Sequence, residues 1–159
     1  MTLHCTSCGA AFTSEGWPRT CEACGKTTWK NPTPVAVLLQ PSTTGELLVI
    51  RRGIEPRKGH LALPGGYVDW EESWQAACAR ELLEETGVQI EASSVRLFDV
   101  HSPPDGRTVL IFGVAPPIEQ EALPPFEASP EASERSWISA PQEMAFPLHS
   151  QVVRAFFGP

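Results

Sequence analysis

Apolar residues fall into several short runs and one longer stretch with a helical period. Val35 to Gln40 and Glu46 to Arg51 are apolar runs of strand length separated by Pro41-Ser42-Thr43-Thr44-Gly45, whose residue types favour a turn. A third short strand is expected at Leu61 to Leu63, after which Pro64-Gly65-Gly66 breaks regular structure. A helix follows from about Glu72 to Thr86, with Ala76, Ala79, Leu82 and Leu83 as its apolar side. Ser73 is a candidate for its cap, and Gly87 supplies a left-handed stop. Val95 to His101 and Thr108 to Val114 read as a hairpin around Pro103-Pro104-Asp105-Gly106, and Arg135 to Ser139 as a last strand. A closing helix from about Ser150 to Phe156 would set Val152, Val153 and Phe156 against the core. Residues 115–130 hold five prolines and three glutamates and are expected to form a mobile loop. Residues 26–34, with two prolines, connect a small module at 1–30 to a main domain at 31–159.

The polar side of the long helix is acidic. At about 100° per residue, Glu84 lies roughly 60° to one side of Glu81 and Glu85 roughly 40° to the other. Three carboxylates thus share one face. Two unit charges about 4 Å apart repel by on the order of 4 kcal/mol at an effective dielectric near 20, so such an arc calls for cations among its members. Hard, oxygen-seeking Mg²⁺ or Mn²⁺ fits that donor set. Cys78, one turn earlier, is expected to be a small packed apolar residue.

A second metal is expected at the other end of the chain. Cys5-Thr6-Ser7-Cys8-Gly9 and Cys21-Glu22-Ala23-Cys24-Gly25 are two C-x2-C-G knuckles twelve residues apart, a spacing suited to tetrahedral Zn²⁺ held by Cys5, Cys8, Cys21 and Cys24. Four thiolates leave no open position, so this zinc is expected to be structural. A module of this size cannot bury enough surface to fold unaided, and zinc binding contributes roughly 10 to 16 kcal/mol to such units.

Composition narrows the class. With 42% hydrophobic and 19% charged residues among 159, the chain is globular and long enough for one core. A net charge of −7 argues against nonspecific nucleic-acid binding. No apolar run approaches about 18 residues and no secretory leader follows Met1, so a cytoplasmic protein without membrane insertion is expected.

The whole string Gly66-x5-Glu72-x7-Arg80-Glu81-Leu82-x-Glu84-Glu85-x-Gly87-Val88 resembles the signature of the Nudix hydrolases at nine fixed positions over 23 residues. The resemblance covers roughly residues 33–158. It implies an α+β fold, an α/β/α sandwich around a mixed sheet, here preceded by the four-cysteine zinc ribbon. It also implies hydrolysis of a diphosphate by metal-activated water, with Glu81, Glu84, Glu85 and the carbonyl of Gly65 as Mg²⁺ or Mn²⁺ ligands. Arg80 and Glu72 would orient those ligands. A further carboxylate outside the box is implied as base or ligand, with Glu131 favoured over Glu134 and Glu127.

Among members with a zinc ribbon, the stretches Arg51-Arg52-Gly53-Ile54-Glu55-Pro56-Arg57 and Leu61-Ala62-Leu63-Pro64-Gly65-Gly66-Tyr67 are similar to a subgroup associated with ADP-ribose and FAD. The Ser-Gln-Pro-Trp-Pro-Phe-Pro-like element of NADH pyrophosphatases is missing after the box. Arg51 or Arg52, from a cluster with Arg57 and Lys58, is a candidate partner for substrate phosphate, with Glu55 as an alternative salt-bridge partner for the arginines. Tyr67, Trp70 and Phe98 are candidates to stack on a base or flavin, and His101 stands near the hairpin. The leading expectation is a pyrophosphatase for a nucleoside diphosphate linked to another group, ADP-ribose or FAD first. A nucleoside triphosphate pyrophosphatase that sanitises oxidised nucleotides and a non-catalytic nucleotide-sensing adapter are the alternatives. Many relatives dimerise, and a homodimer is left open.

Overall fold

The computed structural model describes residues 3–158, and the chain divides into two compact units, Met1–Pro32 and Thr33–Pro159. In the first, strand β1 (Arg19–Thr20) pairs antiparallel with β2 (Thr27–Thr28), and the second cysteine knuckle forms the turn between them. Gly9 and Gly25 take left-handed φ values of 76° and 71°, and their N–H groups close each knuckle on the carbonyls of Cys5 and Cys21. Within this unit Phe12 stands edge-on to Trp17, with the Arg19 guanidinium 4.7 Å from the Trp17 ring centre.

The second unit contains β3 (Thr33–Leu39), β4 (Leu47–Arg52), β5 (Leu61–Ala62), β6 (Gly65–Tyr67), α1 (Trp74–Thr86), β7 (Arg96–His101), β8 (Thr108–Val114), β9 (Ala132–Ile138) and α2 (Pro147–Phe157). Four strands form a mixed sheet in the order β6-β3-β8-β7, where β3 and β8 run parallel, and three form an antiparallel sheet β5-β4-β9. Central β3 is buried on both faces, as a strand between layers must be. Val37 and Leu39 pack with Leu47, Val49, Phe112, Val152 and Val153, on the side of α2. Ala36 and Leu38 pack with Leu48 and with Ala77, Cys78 and Leu82 of α1. The result is an α+β fold with a mixed sheet and helices on both sides. No helix among the described residues is long and apolar enough to cross a membrane.

Several expectations need correction. Gly65-Gly66-Tyr67 is not a break but strand β6, paired with Val35 to Val37. A Cβ at Gly65 would run into the Ala36 carbonyl and one at Gly66 into the Glu81 carboxylate, so close approach, rather than turn formation, explains these glycines. Helix α1 starts at Trp74, leaving Glu72 outside it, and Ser73 caps it. Strand β9 starts at Ala132, three residues early, because the Glu134–Arg51 cross-strand pair extends the ladder through a polar stretch. Helix α2 starts at Pro147, whose fixed φ suits a first helical position. Residues 115–130 include a short 3-10 turn at Gln120–Ala122, and their start is fastened: Gln40 Nε2 donates to the Pro116 carbonyl at 2.9 Å and the Thr43 hydroxyl to Glu119 at 2.8 Å.

Candidate active site

Helix α1 is held in register at both ends. The Ser73 hydroxyl accepts the Ala76 N–H at 3.1 Å, and Gly87, at φ 75°, returns its N–H to the Leu83 carbonyl at 2.8 Å. Its buried stripe is Ala77, Cys78, Glu81, Leu82, Glu85 and Thr86. The acids therefore do not point away from the apolar face: Glu81 and Glu85 lie on the same buried stripe as Leu82, while Leu83 is exposed. Cys78 is fully buried, which pushes its thiol up to about 12.

Each buried carboxylate has one defined neighbour. Gly65 donates its N–H to Glu85 Oε2 at 2.9 Å, and Arg80 Nη1 lies 2.7 Å from Glu81 Oε1. Arg80 also grips Glu72 with two bonds, Nε to Oε1 at 3.0 Å and Nη2 to Oε2 at 3.1 Å, and donates to the Tyr67 carbonyl at 3.0 Å. This fork lowers the pKa of Glu72 and raises that of Arg80. Burial raises Glu81, against the pull of Arg80. Burial also pushes Glu85 up to about 8, opposed by the Gly65 N–H and reinforced by Glu81 and Glu131.

Glu131 comes from the turn before β9, far away in sequence. Its N–H donates to the Ser129 hydroxyl at 3.2 Å, and its carbonyl accepts the Gly53 N–H at 2.7 Å. Gly53 must lack a side chain, since a Cβ there would meet the Pro130 carbonyl. One carboxylate oxygen from each of Glu81, Glu85 and Glu131 lies within 4.8 Å of the others. Glu84 falls outside this trio, exposed and 3.3 Å from Arg80 Nη1. It does line, with Glu85, Ser129, Pro130 and Glu131, an adjoining cleft of about 260 Å³.

Arg135 was not singled out from sequence, although it braces this region. It donates Nη1 to the Thr86 carbonyl at the end of α1 and Nη2 to the Pro124 carbonyl at 2.8 Å, with Phe126 under its guanidinium. His149 is a buried polar residue of the core. Its ring sits 5.7 Å from Phe112 and 5.3 Å from Phe146, its Nδ1 accepts the Leu63 N–H, and burial pushes it down to about 4, so it is neutral.

The other candidates scatter. Arg51 pairs with Glu134 at 2.6 Å and donates to the Gly59 carbonyl; Glu55 pairs with neither arginine among the described residues. Arg52 lies over Phe146 at 5.1 Å and donates to the Pro56 carbonyl at 2.9 Å. Tyr67 is 61% exposed and Trp70 91% exposed. Phe98 packs against the core, and His101 contacts Asp99 at 2.8 Å. Glu127 is exposed, outside the trio.

In the N-terminal unit the four thiols converge. The Sγ atoms of Cys5 and Cys24 are 3.7 Å apart and those of Cys8 and Cys21 3.6 Å, with all four within 4.8 Å of one another. A tetrahedron with Zn–S bonds of about 2.3 Å has S···S edges of about 3.8 Å. The Ser7 and Cys8 N–H groups lower Cys5 to about 6, whereas the Cys24 and Cys21 sulfurs beside Cys8 push its thiol up, so the four sulfurs do not all ionise without a cation among them.

The family model for the NUDIX domain matches residues 30–156. An ADP-ribose pyrophosphatase from Methanocaldococcus jannaschii is 43% identical over 60 residues, 38% of this chain and 34% of that protein, so the match spans about a third of this relative's length. A solved NUDIX hydrolase from Nitrosomonas europaea has the same fold, with a TM-score of 0.73 at 22% identity over 97% of this chain and 89% of that one. A bifunctional NMN adenylyltransferase/ADP ribose pyrophosphatase from Francisella tularensis, complexed with AMP and a manganese ion, is 28% identical, with a TM-score of 0.59 over 70% of this chain and 35% of that one. With the match running through both sheets and both helices and including every carboxylate of the trio, this chain belongs to the NUDIX family.

Proposed function

We propose that this chain hydrolyses the pyrophosphate bond of a nucleoside diphosphate linked to another group, with ADP-ribose the first candidate and FAD the second, in dependence on Mg²⁺ or Mn²⁺. The observation that carries this reading is the gathering of Glu81, Glu85 and Glu131, two of them buried, around one point. Three carboxylates so placed cannot all ionise without a cation among them, and an all-oxygen donor set suits a hard divalent ion. When bound, that ion supplies charge neutralisation on the diphosphate oxygens and a lowered pKa for water.

The chain's own groups divide the remaining work. Glu81 gives one oxygen to Arg80 and keeps the other for the site, while the Gly65 N–H fixes the rotamer of Glu85. Arg80, itself anchored by Glu72, prevents the acidic face from splaying. Glu131 is the exposed member of the trio, and in this reading it takes the proton of the attacking water. Glu84 borders the same cleft and extends the oxygen set towards the substrate. The resemblance to two ADP-ribose pyrophosphatases supports the choice of substrate. Zn²⁺ held by Cys5, Cys8, Cys21 and Cys24 is structural in this reading, since four sulfurs saturate it.

Incubating the protein with Mg²⁺ or Mn²⁺ and ADP-ribose, FAD, NADH, diadenosine polyphosphates and nucleoside triphosphates tests the proposal. AMP and ribose 5-phosphate are the expected products from ADP-ribose, and Glu85→Gln should abolish them. Faster turnover of triphosphates would shift the reading to nucleotide sanitation, and binding without turnover across the panel would refute hydrolysis.

A further inference from the structure

A second cavity, of about 300 Å³, shares no lining residue with the carboxylate cleft. Its lining includes Arg57 and His60 from the β4–β5 loop, Glu143, and Pro147, Ser150 and Arg154 from one side of α2. In a chain of net charge −7, two arginines and a histidine against one glutamate make this a local reversal of sign. Neither the Arg57 nor the Arg154 guanidinium has an ion pair or side-chain hydrogen bond among the described residues, whereas Arg51, Arg52, Arg80, Arg96 and Arg135 all donate to acceptors.

The loop that carries Arg57 is held rather than loose. Arg51 donates to the Gly59 carbonyl, Arg52 to the Pro56 carbonyl, and the Gly59 N–H to the Arg52 carbonyl at 2.8 Å. Within that frame Arg57 is fixed at φ 67°, a conformation side-chain-bearing residues adopt at a cost and which concentrates at ligand clamps. From α2, Pro147 and Ser150 form part of the wall; the Ser150 N–H bonds the Phe146 carbonyl at 3.1 Å and its hydroxyl accepts the Met144 N–H at 2.9 Å, so the positive charge on this wall is that of Arg154.

We infer that this cavity binds the phosphate group of a small-molecule ligand, at a site separate from the carboxylate cleft. The volume lies at the small end of ligand pockets, enough for a phosphate head and part of what it carries. Arg57 from the loop and Arg154 from α2 both line the cavity and supply fork donors suited to phosphate oxygens. The arginine pair next to them, Arg51 and Arg52, serves to hold the loop.

Calorimetric titration of the full, zinc-loaded chain in Mg²⁺-free buffer isolates this site, because the uncompensated carboxylates repel phosphate from the other cleft. Inorganic phosphate and AMP should bind saturably and adenosine should not. Equal affinities would identify the phosphate alone as the ligand group, and a tighter AMP would identify a nucleotide. Arg57→Gln and Arg154→Gln should each weaken AMP by about tenfold. Glu143→Gln, which removes the one acid in the lining, should tighten it by roughly threefold, a gain that misfolding cannot mimic. Binding of adenosine as strong as AMP, no saturable binding of either phosphate, or an affinity that the two arginine variants leave intact while Glu85→Gln raises it, overturns the inference.

Discussion

Cation-free protein should lose stability as the pH rises from 6.5 to 8, and added Mg²⁺ should restore it more fully at pH 8 than at pH 6.5. The reason lies in Glu85, pushed from 4.5 to about 8 by burial and by its acidic neighbours. Between those values the folded protein holds a proton that the unfolded chain has released, so stability falls with rising pH and levels off above about 8. His149 works in the opposite sense: it drops from 6.5 to about 4, so its contribution grows from pH 4 to 6.5 and is constant above. Cys5, lowered from 9.0 to about 6, acts against Glu85 between pH 6.5 and 8 but belongs to the N-terminal unit, so the melting transition of the Thr33–Pro159 unit is the one to follow; there the window reports the raised carboxylates, Glu85 foremost. At about 1.36 kcal/mol per pH unit, it corresponds to ~2 kcal/mol, or a melting temperature lower by about 4 to 8 °C. Scanning calorimetry of zinc-loaded protein across that range, with and without Mg²⁺, measures it. Glu85→Gln should melt at a pH-independent temperature and respond little to Mg²⁺. A melting temperature that holds or rises from pH 6.5 to 8, or a Mg²⁺ gain equal at both ends, would refute the account of the trio.

Elemental analysis should find about one zinc per chain, and Cys8→Ser should release it and unfold the N-terminal unit while the Thr33–Pro159 unit keeps its own melting transition. Gly66→Ala puts a methyl group against the Glu81 carboxylate, so turnover should drop at least a hundredfold with circular dichroism unchanged; near-normal activity would show that Glu81 tolerates displacement. Arg135→Met removes two bonds to carbonyls and should cost roughly 2 kcal/mol of stability, seen as a lower urea midpoint, while kcat falls more than KM changes because Glu131 drifts from Glu85.

The sequence carried the acidic helix and the four cysteines clearly, because each is a local repeat: carboxylates at helical spacing, and thiols at knuckle spacing. It also carried β3, β4 and β8, where runs of branched apolar residues meet turn signals. The gaps arise where long-range contact overrides local pattern. Gly65 and Gly66 read as a breaker because strand propensity ignores what a Cβ would meet. Glu131 could be preferred only through the resemblance, since its pairing with Gly53 crosses 78 residues. The apolar face of α1 was misplaced by one residue because the expected face excluded the acids, whereas Glu81 and Glu85 are themselves buried with Leu82. Gly53, Ser129 and Arg135 had no signal of their own; each acts only through the backbone it holds.

The parallel ladder between β3 and β8, with Thr33 opposite Thr108, also sets the order in which this molecule can assemble. Closing a loop of about 75 residues costs chain entropy that no local element repays, and parallel pairing of this kind forms late. Helix α1 lies inside that loop, and its stripe of Ala77, Cys78 and Leu82 packs on Ala36 and Leu38 of β3. Glu81 and Glu85 are thus wet, separate and unremarkable acids throughout early folding, and become a strongly coupled pair only when the sheet closes over them. A divalent cation cannot template this fold from the beginning; it can only lock a chain that has already found it.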